Sequence, residues 1–238
     1  PLDSLNPRWT VHQVLSEPLK LHTNLSSEER EDRITELLSL VGLEPSMRYA
    51  LPREMSAGRQ QRASIARSIA SNPEFIVLDE PTSALTPETT AEIIQLLMGL
   101  SAKLGIAYLF ISHDLTTVKY ICHRVVVLYL GQIVEVGTKD QVFNDPQHPY
   151  SRALLASHLF PDTDNRRVDR EVRETLEGEI PSPITENLPK GCYLYGRCPA
   201  QVDKCRDLPQ ELAKLDDGRS VRCWRVAEGD LPSQPVAH

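Results

Sequence analysis

The sequence predicts an α/β fold: a parallel sheet with crossover helices, followed by a loop-rich extension. Three observations lead there. Two short continuous apolar runs, Phe75–Leu78 and Ile106–Ile111, have the length and texture of strands covered on both faces. A long helical pattern with its own start and stop signals lies between them, and such alternation means a parallel sheet with crossovers. Ten of the eighteen prolines lie beyond Asp145, whereas none falls between Pro87 and Pro146, so the texture changes there.

Taken in order, residues 1–25 read as irregular, with Pro1, Pro7 and Pro18. Ser26 and Glu29 have capping-box spacing. Ile34, Leu37, Leu38 and Val41 then form a helical stripe that Gly42 stops. Leu51–Gly58 reads as a loop feeding a second helix, about 56–71, with arginines outside and Ala/Ile inside; Asn72-Pro73 ends it. After the first strand, Thr86 is an N-cap, Pro87 occupies N1 and Glu88 the first turn. Ile93, Ile94, Leu97, Leu100 and Leu104 line one side of that helix, and Gly105 closes it. The second strand leads into Ser112-His113-Asp114 and a short helix to Cys122. Val125–Leu130 and Gln132–Val136 read as a hairpin about Gly131. Residues 146–238 read as the appendage, and no internal repeat is present.

Composition narrows the function classes. At 238 residues, with 25% charged and 40% apolar residues, the chain is an ordinary globular one, of one domain plus an appendage. Its net charge of -7 argues against a nucleic-acid binder. No apolar run is long enough to cross a bilayer, and no signal-peptide pattern is visible. The chain does not begin with Met, so preceding segments are not excluded.

The chemistry starts at "FIVLDEPTSALT", Phe75–Thr86. In parallel sheets ligands bind at the carboxyl ends of strands. Asp79, Glu80 and His113 all fall at such ends. Adjacent carboxylates there suit Mg²⁺-nucleotide hydrolysis: one holds Mg²⁺, the other orients or deprotonates the attacking water. A strand-end histidine nearby can meet the γ-phosphate. The plainer alternative is that the two acids cap a loop and the histidine is structural.

"EMSAGRQQRASIAR", then "FIVLDEPTSALT", then "LFISHDL" resemble the signature motif, Walker B, D-loop and H-loop of ATP-binding-cassette (ABC) ATPases. "SLNPRWTV", "DPQHPYSRALLAS", "GEIPSP" and "LPKGCYLYGRCP" narrow the resemblance to the subfamily that energises import of dipeptides, oligopeptides and sometimes nickel. The resemblance implies an ABC-type nucleotide-binding domain. In it Asp79 is the Mg²⁺-linked acid, Glu80 the catalytic base and His113 the γ-phosphate switch. Ser56, Ala57, Gly58 and Arg59 form the signature acting in trans, and Ser83, Ala84, Leu85 and Thr86 the D-loop. It implies an ATP hydrolase with ATP and Mg²⁺, paired head to tail with a second nucleotide-binding domain. Its further partners are membrane permease subunits and, through them, an extracytoplasmic peptide-binding protein. Its place is peripheral, at the cytoplasmic face of the cell membrane. Residues 1–57 then read as the permease-docking helical subdomain, 58–145 as the C-terminal part of the ATPase core, and 146–238 as the importer-type extension. Two other classes are a soluble ABC ATPase without permeases and a metal-cluster module with vestigial ATPase motifs.

Some family parts are absent or altered. None of the eleven glycines belongs to a phosphate loop with Lys and Ser/Thr at its end; the nearest, "GCYLYGRC", has Arg197 and Cys198 there. Motif order places that loop and the Q-loop glutamine before Pro1, so the chain alone is expected to bind ATP very weakly and not to turn it over. The usual Ser-Gly-Gly-Gln reads Ser56-Ala57-Gly58-Arg59, and Thr86 stands where the D-loop usually has Asp. Either two ATP sites are unequal, with the Glu80/His113 site the competent one, or these are tolerated changes.

Four of the five cysteines cluster: Cys192, Cys198, Cys205 and Cys223 are separated by five, six and seventeen residues. None makes the C-x2-C of a zinc ribbon. Four thiolates can bind Zn²⁺ or an iron–sulfur cluster, or four thiols can simply pack an appendage. Gly191 and Gly196 free the backbone to wrap a ligand. The subfamily resemblance implies a [4Fe-4S] cluster, with Zn²⁺ the alternative. Cys122 reads as core, and the remaining histidines as structural or surface residues.

Overall fold

The computed structural model describes residues 4–157, 176, 178–181 and 188–231. Pro1, much of the stretch before Cys192, and Ser182-Pro183 of the "GEIPSP" segment lie outside the described residues. The chain divides into two compact units, Pro1–Thr117 and Val118–His238. This division follows packing and does not coincide with the three segments expected from sequence.

The first unit begins with a difference from expectation. Residues Val11–His22 form a helix, α1, where the prolines suggested irregular chain. Thr10 and Gln13 make a capping box: the Gln13 N–H donates to Thr10 Oγ1 at 3.3 Å, and the Thr10 N–H donates to Gln13 Oε1 at 2.8 Å. Val11, Val14, Leu15 and Leu19 bury one face. That burial outweighs the hydrogen bond that Pro18 removes from the helix. α2, Ser27–Leu40, has the expected Ser26/Glu29 box and buries Ile34, Leu37 and Leu38. Two 3-10 turns follow, Pro45–Tyr49 and Pro52–Glu54, the second of them inside the expected Leu51–Gly58 loop. They lead to α3, Ala57–Ile69, capped by Ser56.

The three helices pack on one another, and α3 meets α4, Pro87–Leu104. Arginines on the polar faces stitch them together. Arg33 Nη2 donates to the Ile69 carbonyl at the end of α3, at 3.2 Å. Arg62 Nη1 donates to the Val41 carbonyl at 2.8 Å, and its Nη2 donates to Glu92 on α4 at 3.0 Å. Gln60 and Gln61 are also buried on α3, against the simple Ala/Ile reading of that face. Gln60 Nε2 donates to the Pro52 and Met55 carbonyls at 2.8 and 3.1 Å, which makes its burial tolerable.

β1, Phe75–Asp79, and β2, Ala107–Ile111, pair in parallel with Phe75 opposite Ala107 and Asp79 opposite Ile111. α4 is the crossover between them, capped by Thr86 and ended by Gly105 at φ +70°. Tyr108 on β2 reaches α4 through its hydroxyl, which donates to the Leu97 carbonyl at 3.1 Å. The expectation of cover on both faces is corrected here. Ile76 and Leu78 are buried, but Phe75 and Val77 are 56% and 54% exposed, and Leu109 and Ile111 are exposed beside them. A continuous apolar run reports what a strand would bury, and the described residues supply cover for one face only.

In the second unit, α5 (Leu115–Ile121, which straddles the division) leads to the hairpin of β3, Arg124–Tyr129, and β4, Gln132–Thr138. Leu130 and Gly131 turn it at φ +47° and +78°, the two positive values that a two-residue hairpin loop demands. α6, Lys139–Asn144, and α7, Pro149–Ser157, follow. The extension is more structured than its prolines suggest. It contributes α8, Lys204–Asp207, β5, Ala213–Lys214, β6, Ser220–Val221, and α9, Trp224–Ala227. β6 pairs antiparallel with β4, completing a sheet of order β3-β4-β6-β5. Val127, Tyr129, Val134, Val142 and Leu194 form its core, with Cys192 and Cys198 packed against it.

Candidate functional sites

Asp79 ends β1 and Glu80 follows it. The Glu80 N–H donates to the Ile111 carbonyl at 2.9 Å, extending the parallel ladder by one bond. Glu80 has φ +48°, a left-handed value that costs a non-glycine residue about 1 kcal/mol or more. It is held there because its own carbonyl accepts from the Ser83 N–H at 3.3 Å and the Ser83 hydroxyl at 3.1 Å. The turn throws the Glu80 carboxylate across to the end of β2. There Glu80 Oε1 lies 2.8 Å from His113 Nδ1. Two strand ends thus bring together the base and the switch residue expected from sequence. Both side chains are open to solvent, so a ligand can reach them.

The Glu80 carboxylate, as hydrogen-bond acceptor and then as charge, holds the His113 pKa above its ordinary value; Asp114 adds a smaller push. The pair therefore favours imidazolium facing carboxylate. Glu80→Gln is expected to bring the His113 pKa down. Between the two values the ring is charged in the parent chain and neutral in the variant. Histidine-selective NMR titration measures this, and an unchanged pKa would show that the pair does not form in solution.

Ser56, Ala57, Gly58 and Arg59 open α3. Ser56 Oγ accepts from the Arg59 N–H at 3.4 Å. Gly58 has a packing reason of its own: a Cβ there would lie 2.6 Å from Thr89 Cγ2 on α4. Ser83 braces Glu80 and Thr86 caps α4, accepting from the Thr89 N–H at 3.4 Å; Ala84 and Leu85 complete the connection between them.

The cysteines make the second constellation. Cys192, Cys198, Cys205 and Cys223, far apart in sequence, line one small pocket in the second unit. All are free thiols. The chain is drawn in around them: the Cys192 N–H donates to the Cys205 carbonyl at 2.7 Å and the Gly191 N–H to that of Arg206 at 3.0 Å. Burial pushes the Cys192 thiol up to about 11 and Cys198 up to about 12, and raises Cys223. Backbone amides beside the sulfurs oppose this in part: those of Leu194 and Tyr195 at Cys192, of Ala200 at Cys198, and of Val226 and Arg225 at Cys223. Such donors favour thiolate, the ligand form. Four thiols on one pocket are a donor set of the kind that binds metal once deprotonated. The free volume is about 10 Å³, room for a single ion. Among the described residues no three His, Cys, Asp or Glu side chains stand in a ready coordination group, so the thiols must rotate to ligate. Cys122 is partly buried and its pKa raised by that burial, in keeping with a packing role.

Sequence reasoning missed the buried polar frame around this pocket. Glu135, His148, Gln210 and Arg219 are all buried. The signal was present in "DPQHPY", a histidine set between prolines, but the residue was read as structural or surface. Among the described residues no helix is long and apolar enough to cross a membrane.

These two constellations can be set beside known proteins. The chain matches the family described as "ABC transporter" over residues 2–83. It also matches "Oligopeptide/dipeptide transporter, C-terminal region" over 134–205. It is 45% identical over 223 residues to the peptide ABC transporter ATP-binding protein y4tS of Sinorhizobium fredii, covering 94% of this chain and 62% of that protein. It is 42% identical over 236 residues to the dipeptide transport ATP-binding protein DppF of Escherichia coli, covering 98% of this chain and 68% of that protein. A solved structure of the ATP-binding cassette MJ0796, a dimer in a post-hydrolysis state with ADP and Pi, aligns with TM-score 0.51 and 32% identity, over 58% of this chain and 60% of that one. The fold is that of an ATP-binding cassette, and the chain belongs to the family of ATP-binding proteins of peptide ABC transporters. It spans about two thirds of the length of these curated relatives.

Proposed function

We propose that the chain is part of the ATP-hydrolysing component of a peptide importer, with Glu80 as the base that activates water. The observation that carries this is the Glu80–His113 pair, set 2.8 Å apart at the ends of two parallel strands, in a chain of this family. Asp79, beside Glu80, is the residue placed to hold Mg²⁺, which supplies charge neutralisation on the phosphates. Ser56, Ala57, Gly58 and Arg59, at the start of a thirteen-residue helix, offer backbone amides to the γ-phosphate of a nucleotide on a second nucleotide-binding domain. The first unit's helices dock on membrane permease subunits, which receive peptide from an extracytoplasmic binding protein at the other membrane face. Hydrolysis drives opening and closing of the paired domains. No phosphate loop is present in these residues, so the chain alone binds ATP weakly and does not turn it over.

The test is uptake of labelled dipeptide by cells whose only peptide importer contains this chain, together with co-purification from detergent-solubilised membranes. Uptake lost on deletion and recovery of permease subunits with the chain are the expected results. Unaffected uptake, with no membrane protein recovered, would favour a soluble ABC ATPase instead. Robust ATP turnover by the isolated chain would overturn its assigned inactivity.

The four cysteines we assign to a metal, either a [4Fe-4S] cluster or Zn²⁺; the pocket as it stands has room for one ion, so a cluster requires the cysteine-bearing segments to move apart. Convergence of four thiols on one pocket supports a metal. A brown protein with broad absorption near about 400 nm identifies iron–sulfur, and a colourless protein with stoichiometric zinc identifies the alternative. The role is structural or regulatory, since these residues lie outside the nucleotide motifs.

A further inference from the structure

The segment His148-Pro149-Tyr150 belongs neither to the nucleotide motifs nor to the cysteine set, yet it is built into the same pocket. His148 is 1% exposed and lines the pocket with the four cysteines, as does Pro149. Its backbone is anchored from below. Glu135 on β4 is fully buried, and its two carboxylate oxygens accept the Gln147 and His148 N–H groups, each at 2.9 Å. A carboxylate accepting backbone amides in a buried setting makes a strong, directional anchor.

The ring is oriented through Nδ1. Nδ1 accepts from the Tyr150 N–H at 3.0 Å, which leaves the proton on Nε2. The Arg222 backbone lies against the ring, and burial pushes the ring's pKa down to about 3, so the imidazole is neutral. Arg222 is the residue before Cys223. Its N–H donates to the Val134 carbonyl and its Nε to the Ile133 carbonyl, both at 2.8 Å, and its Nη1 to the Gln210 carbonyl at 2.5 Å. Cys223 is the cysteine most distant in sequence, and the chain just ahead of it is fixed from three segments.

The next residue but one serves the other arm. The Tyr150 ring stacks on Tyr129 with centroids 4.6 Å apart. The Tyr129 hydroxyl accepts from Arg197 Nη1 at 3.0 Å, and Arg197 precedes Cys198. One tripeptide therefore reaches the residues ahead of two ligands that are twenty-five positions apart.

We infer that His148-Pro149-Tyr150 is the brace of the four-cysteine site: His148 and Tyr150 are positioning residues that hold the Cys223 and Cys198 arms at ligand spacing, and His148 is not itself a ligand. This rests on the metal reading above. A brace is favoured over a fifth ligand because four thiols already make a complete donor set for Zn²⁺ or an iron–sulfur cluster. The geometry favours a brace over simple core filling because the contacts lead to Arg222 and Arg197, the residues directly ahead of Cys223 and Cys198.

The test uses the full chain, loaded anaerobically with ferrous iron and sulfide, or with zinc, then challenged with excess chelator while metal loss is timed. His148→Ala is expected to lose metal about 10-fold faster or more, the range seen when groups behind metal ligands are removed. His148→Gln, which keeps a donor at the Nε2 position, is expected to recover most of the retention. Tyr150→Ala is expected to speed loss while Tyr150→Phe, which keeps the stacked ring, does not. Melting of the metal-free variants by circular dichroism is measured alongside. Wild-type retention in both alanine variants overturns the inference, as does a Gln variant that loses metal as fast as Ala at equal metal-free stability. A parent chain that takes up neither iron–sulfide nor zinc overturns the metal reading itself, and the brace with it.

Discussion

Glu80→Gln is expected to lower ATP turnover of the full transporter by about 10²- to 10⁴-fold, the contribution of a positioned general base. The change keeps size and hydrogen-bonding shape and removes the charge, so it separates chemistry from folding. Glu80 sits in a strained left-handed turn that Ser83 holds from behind, and its carboxylate is 2.8 Å from His113. Glutamine can still occupy that turn and still meet the ring, so nucleotide binding should survive. It cannot take a proton from water. The expected pattern is a fall in kcat with little change in ATP affinity, measured by steady-state turnover and by nucleotide titration. A variant that hydrolyses ATP at the parent rate would remove Glu80 from the base role. Loss of binding together with turnover would recast it as a structural residue of the loop. The same change can be set against the matching one in the partner domain. Equal loss of transport from both would show that Ala57 and Arg59 are tolerated variations and that the two ATP sites are equivalent. A greater loss from the Glu80 change would mark this chain's own strand-end site as the competent one.

The strand-end site was legible because its chemistry is local. Asp79, Glu80 and the ladder into Ser112-His113 follow from two short strands and one crossover helix. Each of those has its own start and stop residues in sequence. α1 was hidden for an equally local reason: Pro18 is visible as a breaker, while the burial of Val11, Val14, Leu15 and Leu19 that overrides it depends on partners elsewhere. The exposed face of β1 and β2 shows the converse limit. A run such as Phe75–Leu78 states a demand for cover, and sequence pattern cannot say which segment meets it. The extension was least legible. Its prolines suggested loops, but the decisive contacts join residues far apart, such as Glu135 to His148, Tyr129 to Arg197 and Arg222 to Val134. Long-range hydrogen bonding of this kind has no periodicity to read. Arg219, buried and bonded to Asp145 at 2.9 Å and Asp217 at 2.5 Å, looked in sequence like any surface arginine.

Gly191→Ala is expected to disable the cysteine site and to destabilise the second unit by about 1–3 kcal/mol. Gly191 does not owe its place to an unusual backbone angle. What excludes a side chain is the close approach of another backbone. A Cβ there would lie 2.3 Å from the Cys205 carbonyl oxygen and 2.8 Å from that of Leu208. Neither is the tip of a flexible side chain, so the two segments must part. The bonds they share are the Gly191 N–H to the Arg206 carbonyl at 3.0 Å and the Cys192 N–H to the Cys205 carbonyl at 2.7 Å. Parting them therefore separates Cys192 from Cys205. Gly196 makes a useful contrast. It has φ +85° and open space around its Cβ position, so Gly196→Ala strains the turn without driving two cysteines apart. The two variants should then differ in kind. Gly191→Ala should lose metal content and melt lower in thermal denaturation followed by circular dichroism. Gly196→Ala should melt lower and still load metal. Normal metal content in Gly191→Ala would mean that the Cys192–Cys205 approach is dispensable, and that the pocket gathers its thiols by some other path of the chain.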